Sequence, residues 1–389
     1  MLSDLHAHYP MHVVSDAPSG RTVDRMRTVR GRDGLRDKVR ALVLSIATRL
    51  GNDDSWWSGF RVTVPLIRQG SARVIFSVLY RPFEEMDLDK RYGAPPAAQY
   101  FAGLLEDIER VEADVAAKDP AEIRIAHNRA ELDQCLADGA TALIHCVEGG
   151  FHLGDTETEI DANVAELARR GVAYVTVAHL FFRQVATNAN ALPFLPDWLY
   201  DVVFPQAKGE GLTARGAAVV RALVRNGILV DLSHMRPDGV AETFELLDEI
   251  DPAAQVPVIS SHAGYRFGSQ EYMHDQDQIE QIKRRDGVIG LIMAHHQLDD
   301  GIRKENTASL DETMEVIDRH VGQIAGITGD HRHVAIGSDL DGFIKPTVGG
   351  VENMAAMGAL EAKLRDRYGA DAELIASENA LRVLRKVWT

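Results

Sequence analysis

A (β/α)8 barrel is the fold class this sequence predicts, and three observations predict it. Short apolar runs rich in β-branched residues recur eight times along the 389 residues. Stretches with helical period fall between most of them, the alternation expected of a parallel sheet with crossover helices. Six of the eight runs end in, or just before, a histidine or a carboxylate, so polar groups collect on what closure would make a single rim. A doubly wound open sheet is the competing architecture, and convergence of polar residues from so many strands favours closure over it. The whole chain, 1–389, is read as one barrel domain with insertions around 9–70 and 81–125.

Taken in order, the first run is Asp4 to His8 and carries the pair His6-x-His8. Residues two apart on an extended strand share a face, so both imidazoles can reach one point, whereas a helix would splay them. Residues 9–70 follow, irregular, with an Arg-rich portion from Arg21 to Arg40 and the pair Ser58-Gly59. Val74 to Leu79 is the second run, and 81–125, with Ala94-Pro95-Pro96, is the second irregular stretch. Ala142 to Val147 is the third run, ending at Glu148 before Gly149-Gly150. An amphipathic helix over Glu157 to Arg170 leads to Val172–Val177, with His179 just beyond. The helix Ala214 to Asn226 leads to Ile228–Leu232 and His234, and Gly239 to Glu249 leads to Val256–Ser261 and His262. Val288 to Met293 precedes His295 and His296, which could line the mouth of a barrel. The last helix, Leu310 to Ile324, opens with a capping box, Ser309 and Glu312, and leads to Val334–Gly337 and Asp339.

Composition narrows the setting. Asp plus Glu number 58 against 42 Lys plus Arg, a net charge of −16 that repels a phosphate backbone, so nucleic acid is set aside. No apolar run approaches the length of a membrane span, and with His6 so near the start no signal peptide is expected. A cytoplasmic enzyme without a membrane partner fits these features, and so do only two cysteines, Cys135 and Cys146.

Brought to one rim, His6, His8, Glu148, His234, His262 and Asp339 form a donor set suited to two borderline divalent cations, zinc above all, with the Glu148 carboxylate placed to bridge them. Each residue has an ordinary reading too. His234 and His262 could be satisfied core histidines, Glu148 a loop carboxylate, and Asp339 and Asp341 turn formers beside Gly342. That reading needs six separate coincidences at strand ends. His12, His127, His320, His331 and His333 lie away from predicted strand ends, and His145 and His152 merely flank Glu148, so these are not counted as ligands.

The motifs Asp4 to His8, Val147-Glu148-Gly149-Gly150, Arg170 to His179, Gly211-Leu212-Thr213 with Gly227 to His234, Ser260-Ser261-His262, Gly337 to Gly342 and Glu378 to Leu384 resemble, in order, those of the membrane dipeptidase family (renal dipeptidase, peptidase family M19) within the metal-dependent amidohydrolases. The resemblance implies that His6 and His8 hold one zinc ion, that His234 and His262 hold a second, and that Glu148 bridges them. It implies that a hydroxide bridging the two ions attacks the amide bond of a dipeptide or related small acyl amino acid. In that scheme His179 contacts the substrate carbonyl and stabilises the oxyanion, while Asp339 is the acid/base. Two departures stand out. His8 replaces the family's Asp, and the stretch Glu271 to Asp275 lacks the arginine that reads the dipeptide carboxylate. Tyr272 takes its place on the substrate side, and Arg266 and Arg183 are the candidate replacement cations. Two other readings stay open: a lactonase or other ester hydrolase on the same site, and a catalytically silent small-molecule barrel, which would have no need of Asp339. A homodimer is compatible with the sequence.

Overall fold

The computed structural model of the chain describes residues 1–14, 35–51, 59–81, 85, 99–206, 209–342 and 347–388. Among the described residues there are nine strands: β1 (Leu2–Ala7), β2 (Ala72–Leu79), β3 (Ile123–Ile125), β4 (Thr141–Glu148), β5 (Tyr174–Thr176), β6 (Leu229–Asp231), β7 (Val258–Ala263), β8 (Val288–Leu291) and β9 (Val334–Ile336). Eight of them close into a parallel ring. β1 pairs with β2 and β9, β2 pairs with β4, and the pairing runs on through β5, β6, β7 and β8 to β9. This is the (β/α)8 barrel, and each of the eight expected runs supplies one of its strands. The ninth, β3, was not foreseen, because three residues, Ile-Arg-Ile, are too few to show a period. It lies along β4 at Thr141 to Leu143, on the edge that β5 takes over at Val147 and Glu148.

Alternation along the strands decides which side chains reach the interior. Ala142, Ile144 and Cys146 of β4 pack with Leu5, Phe76, Tyr174, Leu229 and Ile259 in one buried cluster. Leu143 and Val147 instead join the larger cluster between strands and helices. A strand places successive side chains on opposite faces, so Glu148 continues the inward series and His145 the outward one.

The outer helices form for local reasons. In Tyr100–Ala116 the buried residues Tyr100, Leu104, Ile108, Val111 and Val115 recur every three or four positions, one face of a helix. Thr156 caps Glu157–Arg169 by accepting from the Glu159 N–H, and Thr213 caps Ala214–Arg225 by accepting from the Gly216 N–H. The expected capping box at Ser309 closes only half. Ser309 accepts from the Glu312 N–H, but the Glu312 carboxylate accepts from the Ala308 N–H, one residue too early. A complete box forms at Asp275 and Gln278, where both reciprocal bonds are made.

The described part of residues 9–70 holds the helices Leu35–Gly51 and Val64–Gly70, and that of 81–125 holds Tyr100–Ala116 and β3. Most of the Arg-rich portion, Ser58 and Ala94-Pro95-Pro96 lie outside the described residues. Cys135 and Cys146 are buried and unpaired. Among the described residues no helix is long and apolar enough to cross a membrane.

Candidate metal centre

The strand ends converge as expected on one buried pocket. Glu148 lies at its middle. Its Oε1 is 3.2 Å from His234 Nε2 and 3.6 Å from both His262 Nε2 and His6 Nε2. Its Oε2 is 3.7 Å from His8 Nε2 and 3.2 Å from His179 Nε2. The Nε2 atoms of His6 and His8 are 3.2 Å apart, those of His234 and His262 3.0 Å. Asp339 Oδ1 sits 3.0 Å from His8 Nε2 and 3.6 Å from His6 Nε2. Donors held tetrahedrally at zinc distances of about 2.0–2.1 Å lie about 3.3–3.4 Å from one another. The pocket therefore has the spacing of two ligand groups, His6/His8 and His234/His262, sharing Glu148.

The backbone bends to make this possible. His234, Asp339 and Asp341 all have positive φ, at 65°, 58° and 67°. Such conformations are costly for residues other than glycine and gather where a site needs a side chain aimed off the strand direction. Asp339 also needs Gly342, since a Cβ there would fall 1.7 Å from Asp339 Oδ1.

Behind the imidazoles stands a layer of hydrogen bonds that sequence reasoning missed. Ser261 Oγ donates to Asp231 Oδ2 at 2.6 Å and lies 2.9 Å from His6 Nδ1 and 2.8 Å from His262 Nδ1. One hydroxyl thus accepts the Nδ1–H of a histidine from each group, which leaves both Nε2 lone pairs facing the pocket. Tyr174 donates to the Leu5 carbonyl and offers His6 Nδ1 a second acceptor at 2.9 Å. Asp231 could pass for a ligand with His6 and His262, but it is already engaged by Ser261, Thr176 and two backbone N–H groups, so it is a support. The signal was visible: Asp231 and Ser261 are polar residues inside otherwise apolar runs. No sequence signal marks Glu85, whose Oε2 is 2.7 Å from His179 Nδ1.

Electrostatics suits cation binding. Burial pulls the His6, His234 and His262 imidazoles down, so they stay neutral with lone pairs available. Burial would push Glu148 up, but the His179 charge and its hydrogen bond outweigh it and hold the carboxyl well below its usual range. Burial acts against His8 too, yet its hydrogen bond with Asp339 and the Glu148 charge raise it. His179 is raised to about 10 because Glu148 and Glu85 overcome its burial. Asp339, in contrast, is pushed by burial up to about 7. The donors are of the right kind, and Glu148 Oε1 has no hydrogen-bond partner in its buried position, so the residues fit a pair of divalent cations.

Of the expected substrate groups, the Tyr272 hydroxyl lies 3.3 Å from His234 Nε2, inside the pocket. Arg266 is turned onto its own loop. Its Nε donates to the Met273 carbonyl at 2.9 Å, and its other nitrogens lie 3.5 Å from Asp275 and the Glu271 carbonyl. Arg183 is buried and donates to the Glu85 carbonyl. His295 is paired with Asp299, and His296 lies 3.2 Å from the Ala191 carbonyl.

Comparison with known proteins gives the family and the fold. A family model described as membrane dipeptidase (peptidase family M19) matches residues 24–389. That span leaves out His6 and His8, which the barrel itself brings to the site. An uncharacterized dipeptidase of Schizosaccharomyces pombe is 29% identical over 255 residues, 64% of this chain and 53% of its own length. The chain spans about half the length of the curated relatives it matches first. Among solved structures, a metallopeptidase of Rhodobacter sphaeroides liganded with a phosphinate mimic of the dipeptide L-Ala-D-Ala superposes with a TM-score of 0.69 at 21% identity, covering 100% of this chain and 99% of that one. A dipeptidase described as a metallopeptidase of family M19 superposes equally well, with a TM-score of 0.69 at 20% identity, covering 100% and 98%. At such identities the likeness establishes the fold.

Proposed function

The chain belongs to the membrane dipeptidase family, peptidase family M19, and from that premise we propose that it is a zinc-dependent hydrolase of dipeptides or related small acyl amino acids. One observation carries the reading: Glu148 presents its two oxygens between His6/His8 and His234/His262, the arrangement of a carboxylate shared by two ions. His6 and His8 would hold one ion and His234 and His262 the other. Imidazole and carboxylate donors at this spacing favour zinc. When bound, the two ions supply an activated water as nucleophile and polarise the scissile carbonyl.

The chain's own residues do the rest. Asp339, beside His8 and His6 and pushed up to about 7, accepts the proton of the attacking water and returns it to the leaving amine. His179, held protonated between Glu85 and Glu148, donates toward the developing oxyanion. Its Nδ1 is fixed by Glu85, so its Nε2 keeps one direction. Tyr272 closes the pocket over His234. The dipeptide mimic bound by the Rhodobacter sphaeroides relative supports a dipeptide as substrate.

The test is metal content per chain followed by turnover of a panel of dipeptides, amides, esters and lactones, with and without chelator. Chelator-sensitive dipeptide hydrolysis with two zinc ions in the pocket is expected. Turnover confined to lactones or esters would make the chain an esterase on this barrel, and no turnover with full metal content would make it a binding protein. Matched dipeptides with free or amidated C-termini probe substrate reading. Because Arg266 is committed to its own loop, Arg266→Ala is expected to leave the free-acid to amide ratio unchanged, and a lost preference would assign carboxylate reading to Arg266.

A further inference from the structure

We propose that Glu112, His127 and His145 form a separate site for a zinc-sized divalent cation on the outer wall of the barrel, behind β4. The three come from separate elements: Glu112 from the helix Tyr100–Ala116, His127 from the turn after β3, and His145 from the outward face of β4. One ligand atom from each lies within 4.8 Å of the others. Glu112 Oε1 stands 3.4 Å from His127 Nε2 and 3.6 Å from His145 Nε2. A carboxylate hydrogen-bonded to imidazole would sit near 2.7–2.9 Å. The His127 contact is a long hydrogen bond, and both separations are close to the edge of a tetrahedron of zinc ligands, about 3.3–3.4 Å.

Two further observations point to a ligand. His145 is fully buried, and neither of its ring nitrogens has a hydrogen-bond partner. A buried imidazole with both nitrogens idle forfeits hydrogen bonds it made in water, and a bound cation would repay one of them. His127 is already oriented for coordination. Its Nδ1 donates to Glu131 Oε2 at 2.8 Å, its backbone N–H donates to the same oxygen at 3.0 Å, and Asn128 Nδ2 holds the other oxygen of Glu131 at 2.7 Å. This carboxylate–histidine pairing fixes the Nδ1–H tautomer and turns the Nε2 lone pair toward Glu112, as partners behind metal-bound histidines do. The turn is pressed onto its neighbour, since a Cβ on Gly171 would fall 2.5 Å from the His127 Cα. Arg170 also disfavours a charge on His145. Its charge is spent on Glu166 and Glu109, at 2.9 Å and 3.0 Å.

With Glu112 and His127 each about a third exposed, at 33% and 37%, the fourth position opens to water. The site's role is to pin the Tyr100–Ala116 helix and the β3 turn to the strand that carries Glu148.

The experiment compares the full-length wild type with His127→Gln and Glu112→Gln, both on side chains about a third exposed, and with His331→Gln as a surface control. Each protein is equilibrated with the same excess of zinc, desalted, and read by elemental analysis and by the zinc-dependent change in melting temperature. Both cluster variants are expected to hold one ion per chain fewer than wild type and to lose part of the zinc-dependent rise in melting temperature, whatever the pocket binds. The control should match wild type. Equal metal content in all four proteins would overturn the proposal, and so would a loss of the same size in His331→Gln, which would mean adventitious surface binding.

Discussion

Glu148 and His145 lie three residues apart on β4, one on its inward face and one on its outward face. Around Glu148 gather residues from five other strand ends, β1, β5, β6, β7 and β9, all nearly inaccessible to solvent. Around His145 gather Glu112 of the Tyr100–Ala116 helix and His127 of the turn after β3, both part-exposed. Each cluster has histidines, a carboxylate and an orienting partner, Ser261 and Asp231 inside and Glu131 outside. Only the inner one has a second buried carboxylate, Asp339, and a protonated histidine, His179, beside it. Metal-type donors alone therefore do not make a catalytic site. What separates the two faces is burial together with groups that can move a proton or meet a developing charge.

The strongest way to break the comparison is to remove the shared ligand. Glu148→Gln takes a charged donor from both ion positions at once, so pocket metal should be lost and hydrolysis should fall to the level of chelator-stripped wild type. The ion assigned to Glu112, His127 and His145 should stay, because that cluster faces away from Glu148. Elemental analysis of the variant checks both halves, and full pocket metal in Glu148→Gln would remove the bridging role.

Next in size is the base. Asp339→Asn keeps the shape but cannot accept a proton, so kcat should drop by roughly 10²–10⁴ while both pocket ions remain. Near wild-type turnover would move the role to Asp341, whose Oδ2 accepts from the Arg61 and Val62 N–H groups while its Oδ1 has no hydrogen-bond partner, or to the metal-activated water alone.

The same contrast explains what could be read in the chain before its structure. The eight strands were legible because buried parallel strands are continuous apolar runs, and the rim residues because the fold sends every strand C-terminus to one face. β3 was too short to register, and Arg266, four residues past His262, proved tied to its own loop. The support layer was half legible, since Asp231 and Ser261 break apolar runs but their partners are set only by barrel closure. Nothing in the sequence marks His127 and His145 as ligands. Strand parity alone puts His145 on the face opposite Glu148, but which helix side chain meets it there depends on packing that no local pattern encodes.

Ser261→Ala is a milder test of how the inner cluster is held. The loss of one hydroxyl frees His262 Nδ1, leaves His6 Nδ1 with Tyr174 alone and leaves Asp231 short of a donor, without touching a ligand. Zinc affinity in the pocket should weaken by about 10–100-fold, as is usual for such partners. Activity should return in excess zinc, and a defect that zinc does not rescue would mean that Ser261 acts on the chemistry and not on the histidines.

The smallest effect belongs to the outer counterpart, Glu131→Gln. Glu131 orients His127 as Ser261 orients His6 and His262, but its side chain is 46% exposed, and water can take over its place as acceptor. The amide oxygen of Gln can still accept from the His127 Nδ1–H, so the tautomer survives while the negative charge behind the imidazole is gone. Zinc affinity of the outer cluster should therefore fall by less than the roughly 10-fold that marks the low end for buried orienting partners. Titration of zinc into protein whose pocket is already filled reads this affinity directly. A loss as large as that of Ser261→Ala in the pocket would mean that exposure does not weaken the orienting bond, and the difference drawn between the two faces of β4 would then rest on the proton-moving groups alone.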